Sequence, residues 1–561
     1  MRIGYYRAFV TNMAAEKRGS ICMNSRYAYL VSLAFFAACS APPGPVASPP
    51  DIVVNPSGNA PLAAVMKFQT DMPAVPTRVD IEGGTNSDLK HSDKFATEHE
   101  VLVLGLKPGK TQTVTIGLVN ETGQTGATQP VSVTTSPLPD YFPPLEITVR
   151  KPEKMEPGYS LIPYMKWPKT GLDEKFGLLA LYDNEGEVIW YYKIDHTLTE
   201  VRRISTGNFV FNRGRNGLQY EIDMLGNTVR QWHTTGIPKE DVPESSVPIE
   251  TDSFHHDFFE MPGGNFLTLS TEVRHFDDYP ASETKPDEDR KESNVIGDII
   301  LEFAPAGEII RQYKFLDFLD PYRICYDSIG TGFWAPVYKD VIDKPGRDWG
   351  HANALFYDEK DGSVIVSMYH QDVVFKMDWA TGQIKWMLGD PTGWKEPWAK
   401  LMLKPVGEDF QWAYHQHGIK LTPQGTILMY DNGTHKAIPP NEKTLNKDNF
   451  SRAVEFKVDE AAMTVEQVWS YGGPDQDRFF SPFICDVDHL PQTGNVLITD
   501  GGRSRDKDGV DTGSFGDQHW AHIMEVTHTT PEEKVFEIVV QDELPNGWAV
   551  YRSERLASLY P

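Results

Sequence analysis

The sequence predicts an all-β protein in which a small fibronectin III/Ig-like β-sandwich precedes a six-bladed β-propeller. Two observations lead to this prediction: one hairpin type recurs six times from about residue 157 onward, and short alternating strands precede it. Six units of three or four strands fit a circular array of blades. The alternative is a β-sandwich array or a β-helix, but a β-helix would repeat with a shorter and more regular period.

Each hairpin in the propeller region, residues 157–561, pairs two apolar strands and follows a third strand that begins with glycine. We expect these glycine-led strands to line the central channel. They begin at Gly158, Gly207, Gly264, Gly362, Gly425 and Gly494. The array is expected to close near residues 548–560. Tryptophans near the strand ends are interpreted as packing between blades.

The smaller domain is predicted over residues 61–149, where strands such as 100–104 and 112–116 alternate apolar and polar side chains. Residues 105–111 look like a phosphate-binding loop. They are one residue short of that motif, and a strand follows where a helix is required. We therefore predict no nucleotide site.

The first segment is predicted to be a signal peptide spanning residues 1–38, with Met23 as an alternative start. Arg26 precedes a short apolar run, and Cys39 follows it in a lipobox-like setting. Residues 39–60, rich in proline, alanine, serine and glycine, are predicted to form a lipidated tether. We expect an exported, periplasmic lipoprotein that is anchored to the outer membrane through Cys39.

Composition limits the partners. The formal net charge is −26, and the leader carries five basic residues but one acidic residue, so the mature chain is more acidic still. Nucleic acid and anionic membrane surfaces are therefore disfavoured, apart from the lipid anchor. Of four cysteines, Cys325 and Cys485 remain after the leader, and the sequence leaves their pairing open, as it does a homodimer.

Three histidines occupy similar places in three successive units. His256 and His417 each stand eight residues before a turn glycine, and His351 stands eleven residues before Gly362. Equivalent positions in a closed circular array face one axis, so we expect these imidazoles to converge at one mouth of the channel. Cys485 holds the corresponding place in the last unit.

Five short segments together carry a resemblance to a known family: residues 254–257, 350–353, 369–371, 416–418 and 551–555. With them the mature chain resembles the bacterial arylsulfate sulfotransferases. The resemblance implies transfer of a sulfuryl group from a phenolic sulfate ester to a phenol acceptor by a ping-pong route. It places the nucleophile, which would become a sulfohistidine, on His417 and the supporting catalytic histidines on His256 and His351. It implies no cofactor and no resident metal.

One residue departs from the family pattern. Tyr369 stands where relatives commonly have an arginine, which binds anionic groups bidentately. We predict that Asn353, Tyr369 and His370 bind the substrate. Candidates for the lost positive charge are Arg274, Arg503 or a protonated His370.

The sequence leaves three alternatives to the sulfotransferase function. A metal site could combine His415 and His417 with His256 and His351. Recurring tryptophans could indicate a quinoprotein dehydrogenase. A lipid-anchored binding protein that has lost or altered the transferase activity is the third alternative, motivated by Tyr369.

Overall fold

The computed structural model describes residues 44–90, 92–167, 176–214, 217–239, 242–543 and 546–560. The predicted signal peptide, Met23 and Cys39 lie outside these ranges, so export and lipidation stay predictions. No helix in the described ranges is long and apolar enough to span a bilayer. The short helical segments are Phe315–Asp317, Ala335–Tyr338, Trp398–Leu401 and Asn446–Asp448.

The N-terminal region is built on one long strand that pairs with two sets of neighbours. The first half of β2 pairs with β1 and β4, and its second half pairs with β3 and β5. Its buried side chains form an apolar core. The strands are β1 (Asp51–Val54), β2 (Ala64–Glu82), β3 (Ser87–Asp88), β4 (Ala96–Val103), β5 (Thr111–Asn120), β6 (Thr125–Ala127) and β7 (Val131–Thr134).

In the described ranges six mostly antiparallel sheets follow, and the six predicted hairpins are confirmed as outer strands of these six blades. Blade one has β9 (Tyr159–Lys166), β10 (Gly177–Tyr182) and β11 (Val188–Ile194). Blade two has β12 (Leu198–Arg203), β13 (Phe209–Arg213), β14 (Leu218–Ile222), β15 (Thr228–Thr234) and β16 (Val247–Ile249). Blade three has β17 (His255–Glu260), β18 (Phe266–Pro280), β19 (Arg290–Phe303), β20 (Ile309–Lys314) and β21 (Arg347–Asp348).

The remaining blades repeat the pattern. Blade four has β22 (Ala352–Asp358), β23 (Ser363–Met368), β24 (Val373–Asp378) and β25 (Ile384–Gly389). Blade five has β26 (Lys404–Val406), β27 (His417–Leu421), β28 (Ile427–Asp431), β29 (Arg452–Asp459) and β30 (Thr464–Tyr471). Blade six has β31 (Asp486–His489), β32 (Val496–Arg505), β33 (Gln518–Val526) and β34 (Lys534–Val540), with β8 (Leu145–Arg150) at its edge.

The chain closes the ring with its C-terminal strands, β35 (Trp548–Val550) and β36 (Glu554–Leu556), which pair with β9 of blade one. The innermost strands are therefore β12, β17, β22, β27, β31 and this closing segment. The prediction that the glycine-led strands line the channel is wrong, because each is the second strand of its blade. The reason is that the innermost strands, such as His255–Glu260, are polar enough to read as loops.

Two predicted boundaries shift in the structure. Strand β1, Asp51–Val54, lies within the range assigned to the tether and pairs with β2, so the folded region begins before residue 61. Strand β8, Leu145–Arg150, runs across the predicted end of the small domain and pairs with β34 of the propeller. Its alternating burial matches that of a sandwich strand, so its pattern alone could not assign it to a blade.

Tryptophans join neighbouring blades, as the sequence predicted. Trp190 of blade one donates its indole N–H to the carbonyl of Met224 in blade two at 2.8 Å. Trp232 of blade two donates in the same way to Pro305 in blade three at 3.0 Å. Both side chains are fully buried. Their role is packing between blades, since burial of a large ring with a satisfied N–H stabilises such interfaces.

The cysteines of the described chain do not pair. Cys325 and Cys485 are both buried and free. Burial raises the pKa of each thiol to about 12, so both stay protonated near neutral pH.

Ion pairs fill the channel below the mouth that carries the histidines. Arg552, from the closing segment, lies 2.9 Å from both Glu200 of β12 and Asp257 of β17. Arg202 of β12 contacts the same two carboxylates at 2.7 and 3.2 Å. Arg552, Glu200 and Asp257 are each at most 2% exposed. These ion pairs therefore join three segments of the chain, β12, β17 and the closing segment, at the centre of the propeller.

Replacing Arg552 by methionine is expected to lower the free energy of unfolding by about 3–5 kcal/mol, because it removes one of the two cations that contact the buried carboxylates of Glu200 and Asp257. Thermal and urea unfolding would measure the loss. Arg274→Met is the matched control, since Arg274 is one-third exposed and pairs with Asp317 at the surface. That change should cost at most about 1 kcal/mol. Equal losses in the two variants would contradict a stabilising role for the axial ion pairs.

Candidate active site

The three predicted histidines lie where innermost strands begin, at one mouth of the propeller. His256 is the second residue of β17, His417 opens β27 and His351 directly precedes β22. The ring centroids of His256 and His351 are 4.6 Å apart. The ring of Tyr369 lies 5.4 Å from that of His351 and 5.0 Å from that of His417. The structure thus brings all three histidines into one cluster around Tyr369.

The turn between β23 and β24 supplies two more members of the cluster. The Tyr369 hydroxyl donates to the carbonyl of Pro482 at 2.6 Å, and burial raises the pKa of this phenol well above its usual value. The ring of His370 lies 4.8 Å from that of His351, and its Nδ1–H donates to the Asp348 carbonyl at 2.6 Å. Tyr369 is therefore a neutral phenol whose proton is already engaged.

The hydrogen bonds of His417 fix which of its nitrogens carries the proton. The amide nitrogen of Asn432 donates to the carbonyls of Ser481 and Ile484 at 2.8 and 3.1 Å, which turns its oxygen toward His417. Nδ1–H of His417 therefore donates to that oxygen at 2.8 Å. Burial lowers the pKa of His417 well below its ordinary value, so the ring is neutral. A neutral imidazole protonated at Nδ1 keeps a lone pair at Nε2.

His256 is held in the same tautomer by a different partner. His255 donates Nε2–H to the carbonyl of Ser270 at 3.0 Å, which leaves its own Nδ1 as an acceptor. His256 donates Nδ1–H to that nitrogen at 2.7 Å. Burial, followed by the nearby His351 ring, lowers the pKa of His256 well below its ordinary value. Two neutral imidazoles of the cluster thus have an unprotonated Nε2.

His351 differs because a carboxylate faces it. Its Nδ1–H donates to Oδ2 of Asp348 at 2.6 Å, and the other oxygen of Asp348 accepts the indole N–H of Trp334 at 3.1 Å. Burial alone would raise the pKa of Asp348, but the imidazoles of His351 and His370 outweigh it, and the net shift is downward. An ionised carboxylate behind Nδ1 stabilises the ring when Nε2 takes up a proton.

Asn353 lies behind the cluster. It is fully buried, and its amide nitrogen donates to the carbonyl of Gln416 at 2.7 Å. The main-chain carbonyl of Asn353 accepts a hydrogen bond from the Arg552 guanidinium at 2.8 Å. Asn353 therefore holds the residue that precedes His417, and its contact with substrate stays a prediction.

The sequence suggested three residues that could supply positive charge in place of an arginine at position 369. None of them does so in the structure. Arg274 bonds the carbonyl of Leu316 and Asp317 in blade three, away from the cluster. Arg503 pairs with Asp511 in blade six. Burial lowers the pKa of His370 to about 4, so this ring is neutral near pH 7.

A different histidine carries positive charge beside Tyr369. The ring centroid of His415 lies 4.4 Å from that of Tyr369, and its Nδ1 lies 2.8 Å from Oδ1 of Asp372. Burial would lower the pKa of His415, but Asp372 and Asp327 on either side outweigh it and raise that pKa to about 10. Sequence reasoning treated His415 as a metal candidate alone.

Backbone strain is concentrated in the same region. His256, His351, His415 and Asp372 have φ angles of 56°, 53°, 53° and 46°. Left-handed backbone costs a side chain roughly 1–2 kcal/mol. Such strain persists where the surrounding structure enforces it, and functional sites are where it gathers. The cluster therefore has the backbone signature of a site rather than of ordinary packing.

A family profile described as "Arylsulfotransferase (ASST)" matches residues 149–552, and one described as "Arylsulfotransferase Ig-like domain" matches residues 51–137. The chain belongs to the arylsulfotransferase family. Its N-terminal region is accordingly the Ig-like domain, as predicted, and it begins at β1.

Two relatives carry the description "Arylsulfate sulfotransferase AssT". The chain is 27% identical to the protein of Escherichia coli O6:H1 over 414 residues, which are 65% of this chain and 63% of that relative's length. It is 25% identical to the protein of Lelliottia amnigena over 579 residues, covering 88% of this chain and 90% of the relative. A solved structure from Bacteroides caccae, a protein of unknown function, aligns with a TM-score of 0.37 and 13% identity over 71% of this chain and 98% of that chain.

The metal site that would combine four histidines of this family member does not form. His415 turns its nitrogens to Asp372 and Asp327, whereas His417 is bound to Asn432. In the described ranges, the groups whose ligand atoms converge are Asp348–His351–His370 and Asp327–His415–His435. In the first group, Nδ1–H of His351 donates to the Asp348 carboxylate and Nδ1–H of His370 donates to the Asp348 main-chain carbonyl. These hydrogen bonds explain why the three residues converge.

Sequence reasoning missed the residues that orient the histidines. Asn432 follows His417 by fifteen residues, and nothing in its neighbourhood distinguishes it from a turn asparagine. Asp348 stands three residues before His351, a spacing that could have suggested a partner. His255 was visible beside His256, but its role depends on the bulge that opens β17.

Proposed function

We propose that this protein transfers a sulfuryl group from a phenolic sulfate ester to a phenol acceptor by a ping-pong mechanism through sulfohistidine at His417. One observation carries the proposal: His417 is neutral, with its proton committed to Asn432 and a lone pair on Nε2. A neutral imidazole can act as a nucleophile near pH 7. Membership of the arylsulfotransferase family supports the same reaction.

In the first half-reaction, the Nε2 lone pair of His417 attacks sulfur and forms an N–S bond. The bond between sulfur and the phenolic oxygen breaks, and its electron pair leaves on the phenolate, which takes a proton. In the second, the acceptor phenol loses its proton, its oxygen attacks the same sulfur, and the N–S bond breaks. The two steps together return His417 to its neutral form, so no other reactant is consumed.

His351 is the proton carrier in this scheme. The leaving phenolate and the entering phenol, whose pKa is about 10, need a group that gives and then removes a proton. Among the three histidines, His351 faces a carboxylate, Asp348, which stabilises its protonated form. The His351 ring lies close to His256, which completes the histidine set.

The decisive experiment is incubation of the full chain with 4-nitrophenyl sulfate and phenol, without added nucleotide. Release of 4-nitrophenol together with formation of phenyl sulfate supports the proposal. Release of 4-nitrophenol that does not depend on phenol indicates hydrolysis instead. No release would favour the binding protein that has lost activity, the alternative that Tyr369 motivates.

The pH profile gives a second prediction. Because the pKa of His417 is depressed by burial, kcat/KM for 4-nitrophenyl sulfate should not fall as the pH is lowered from 7.5 to 5.5. A histidine with the ordinary pKa of about 6.5 would be roughly nine-tenths protonated at pH 5.5, and the rate would fall about tenfold. Circular dichroism at each pH controls for acid unfolding. A tenfold fall with the fold intact would contradict a neutral, buried nucleophile.

A further inference from the structure

Three side chains beside the histidine cluster converge on one point. Nε2 of His435 lies 2.9 Å from Oδ2 of Asp327, and Nε2 of His415 lies 3.5 Å from the same oxygen. The two imidazole rings are perpendicular, with centroids 5.3 Å apart. Three potential ligand atoms from separate segments of the chain thus lie within 4.8 Å of one another.

The nitrogen of His415 that faces this point is buried and lies 3.5 Å from the Asp327 carboxylate. His415 is fully buried, and Nδ1 is committed to Asp372. Within the described ranges no hydrogen-bond partner reaches its Nε2. A buried polar atom left unpaired costs about 1–3 kcal/mol, and native structures show few of them. A metal ion bound in place of the Nε2 proton would give this nitrogen a direct partner and complete the site.

The backbone of all three residues is strained. Asp327, His415 and His435 have φ angles of 67°, 53° and 65°. Three left-handed residues that aim their side chains at one point need a compensating interaction. Hydrogen bonding supplies part of it through the contact of His435 with Asp327, but none reaches His415 Nε2.

We propose that Asp327, His415 and His435 form a binding site for a divalent transition metal ion, for which Zn²⁺ is the best match. Two imidazole nitrogens and one carboxylate are a common zinc ligand set, and a fourth position stays open for water or an anion. Asp372 behind Nδ1 of His415 acts as the outer carboxylate that orients a ligating histidine. Asp327 is 47% exposed at its side chain, which gives the ion access from solvent.

The position of this site suggests its role, which rests on the proposed transfer reaction. The ring of Tyr369 lies between it and His417, with centroids 4.4 Å from His415 and 5.0 Å from His417. A divalent ion at this site would add positive charge beside Tyr369 beyond that of a protonated His415, which favours an anionic sulfate donor.

Metal content tests the site directly, without any need for transferase activity. The full chain is stripped with EDTA, incubated with one to two equivalents of Zn²⁺ at pH 8, desalted and analysed by elemental mass spectrometry. We expect one retained zinc per chain and a higher melting temperature in its presence. Absence of retained zinc in the parent chain would overturn the proposal.

Two variants locate the ion. Asp327→Asn is isosteric, and His435→Asn removes an imidazole, while asparagine tolerates the left-handed backbone at both positions. Each should lower zinc affinity at least tenfold and abolish the rise in melting temperature. His275→Ala, at an exposed histidine, is the control and should retain the metal. Undiminished binding in both variants would place the ion elsewhere and overturn the site.

Kinetics separate the role of the ion from its binding. Zinc should lower KM for 4-nitrophenyl sulfate in the parent chain but not in Asp327→Asn. An unchanged KM with zinc bound would overturn the role in donor binding while the proposed transfer stands. If no transfer occurs at all, the metal content still decides whether the site exists.

Discussion

Replacing His417 by alanine is expected to reduce sulfuryl transfer by about four orders of magnitude or more. The variant loses the Nε2 lone pair, and with it the proposed covalent intermediate that would divide the reaction into two easier steps. The measurement is turnover of 4-nitrophenyl sulfate with phenol as acceptor. In parallel, the parent chain without acceptor should gain one sulfuryl group on the peptide that contains His417.

His256→Ala provides the matched comparison, because His256 lies in the same cluster and is held in the same tautomer by His255. It should slow turnover yet still allow labelling of the His417 peptide. Full turnover by His417→Ala, or label on the His256 peptide in the parent chain, would show that the nucleophile is misassigned. Circular dichroism of both variants controls for folding, since both side chains are buried.

The fold could be predicted because its signals are local. Each outer hairpin, such as β24 with β25, carries its own alternation and turn, and six copies define the architecture. The innermost strands escaped this reading because polar residues such as His255 and Asp257 interrupt their alternation. Their side chains face the channel, where ion pairs and the candidate active site replace an apolar core.

The sequence was sufficient to predict which histidines converge, but not which nitrogen of each ring is protonated. Convergence of His256, His351 and His417 follows from the symmetry of the ring. Which nitrogen carries each proton depends on partners such as Asn432, whose orientation is set by carbonyls about fifty residues further along the chain. No pattern in a single sequence shows such contacts.

The partner of His351 leads to the second large prediction, for the Asp348→Asn variant. In the parent chain one carboxylate oxygen accepts the Trp334 indole N–H and the other accepts Nδ1–H of His351. An indole N–H can only donate, so the amide oxygen of the variant must face Trp334. The amide NH₂ then faces His351, whose Nδ1 must accept and whose proton moves to Nε2. His351 would be held in the wrong tautomer to remove a proton from the acceptor phenol.

We expect Asp348→Asn to lower steady-state turnover by about 10³–10⁴-fold, the scale seen when an orienting aspartate is replaced and the tautomer inverts. The first half-reaction should suffer less with 4-nitrophenyl sulfate, since 4-nitrophenolate leaves without a proton. The signature is therefore a burst of about one equivalent of 4-nitrophenol followed by slow turnover.

Asp298→Asn is the control for Asp348→Asn. Asp298 is also buried, but burial and the nearby Asp348 raise its pKa well above the ordinary value, so its carboxyl is already neutral. Its replacement should leave turnover within a few-fold of the parent chain. Raising the pH toward the acceptor's pKa of about 10 should narrow the defect of Asp348→Asn, because the phenol then ionises without a base. If Asp348→Asn lost the burst as well as the steady-state turnover, and the defect did not change with pH, the proton-transfer role would be wrong. Asp348 would then support the fold of the site and not the proton transfer of His351.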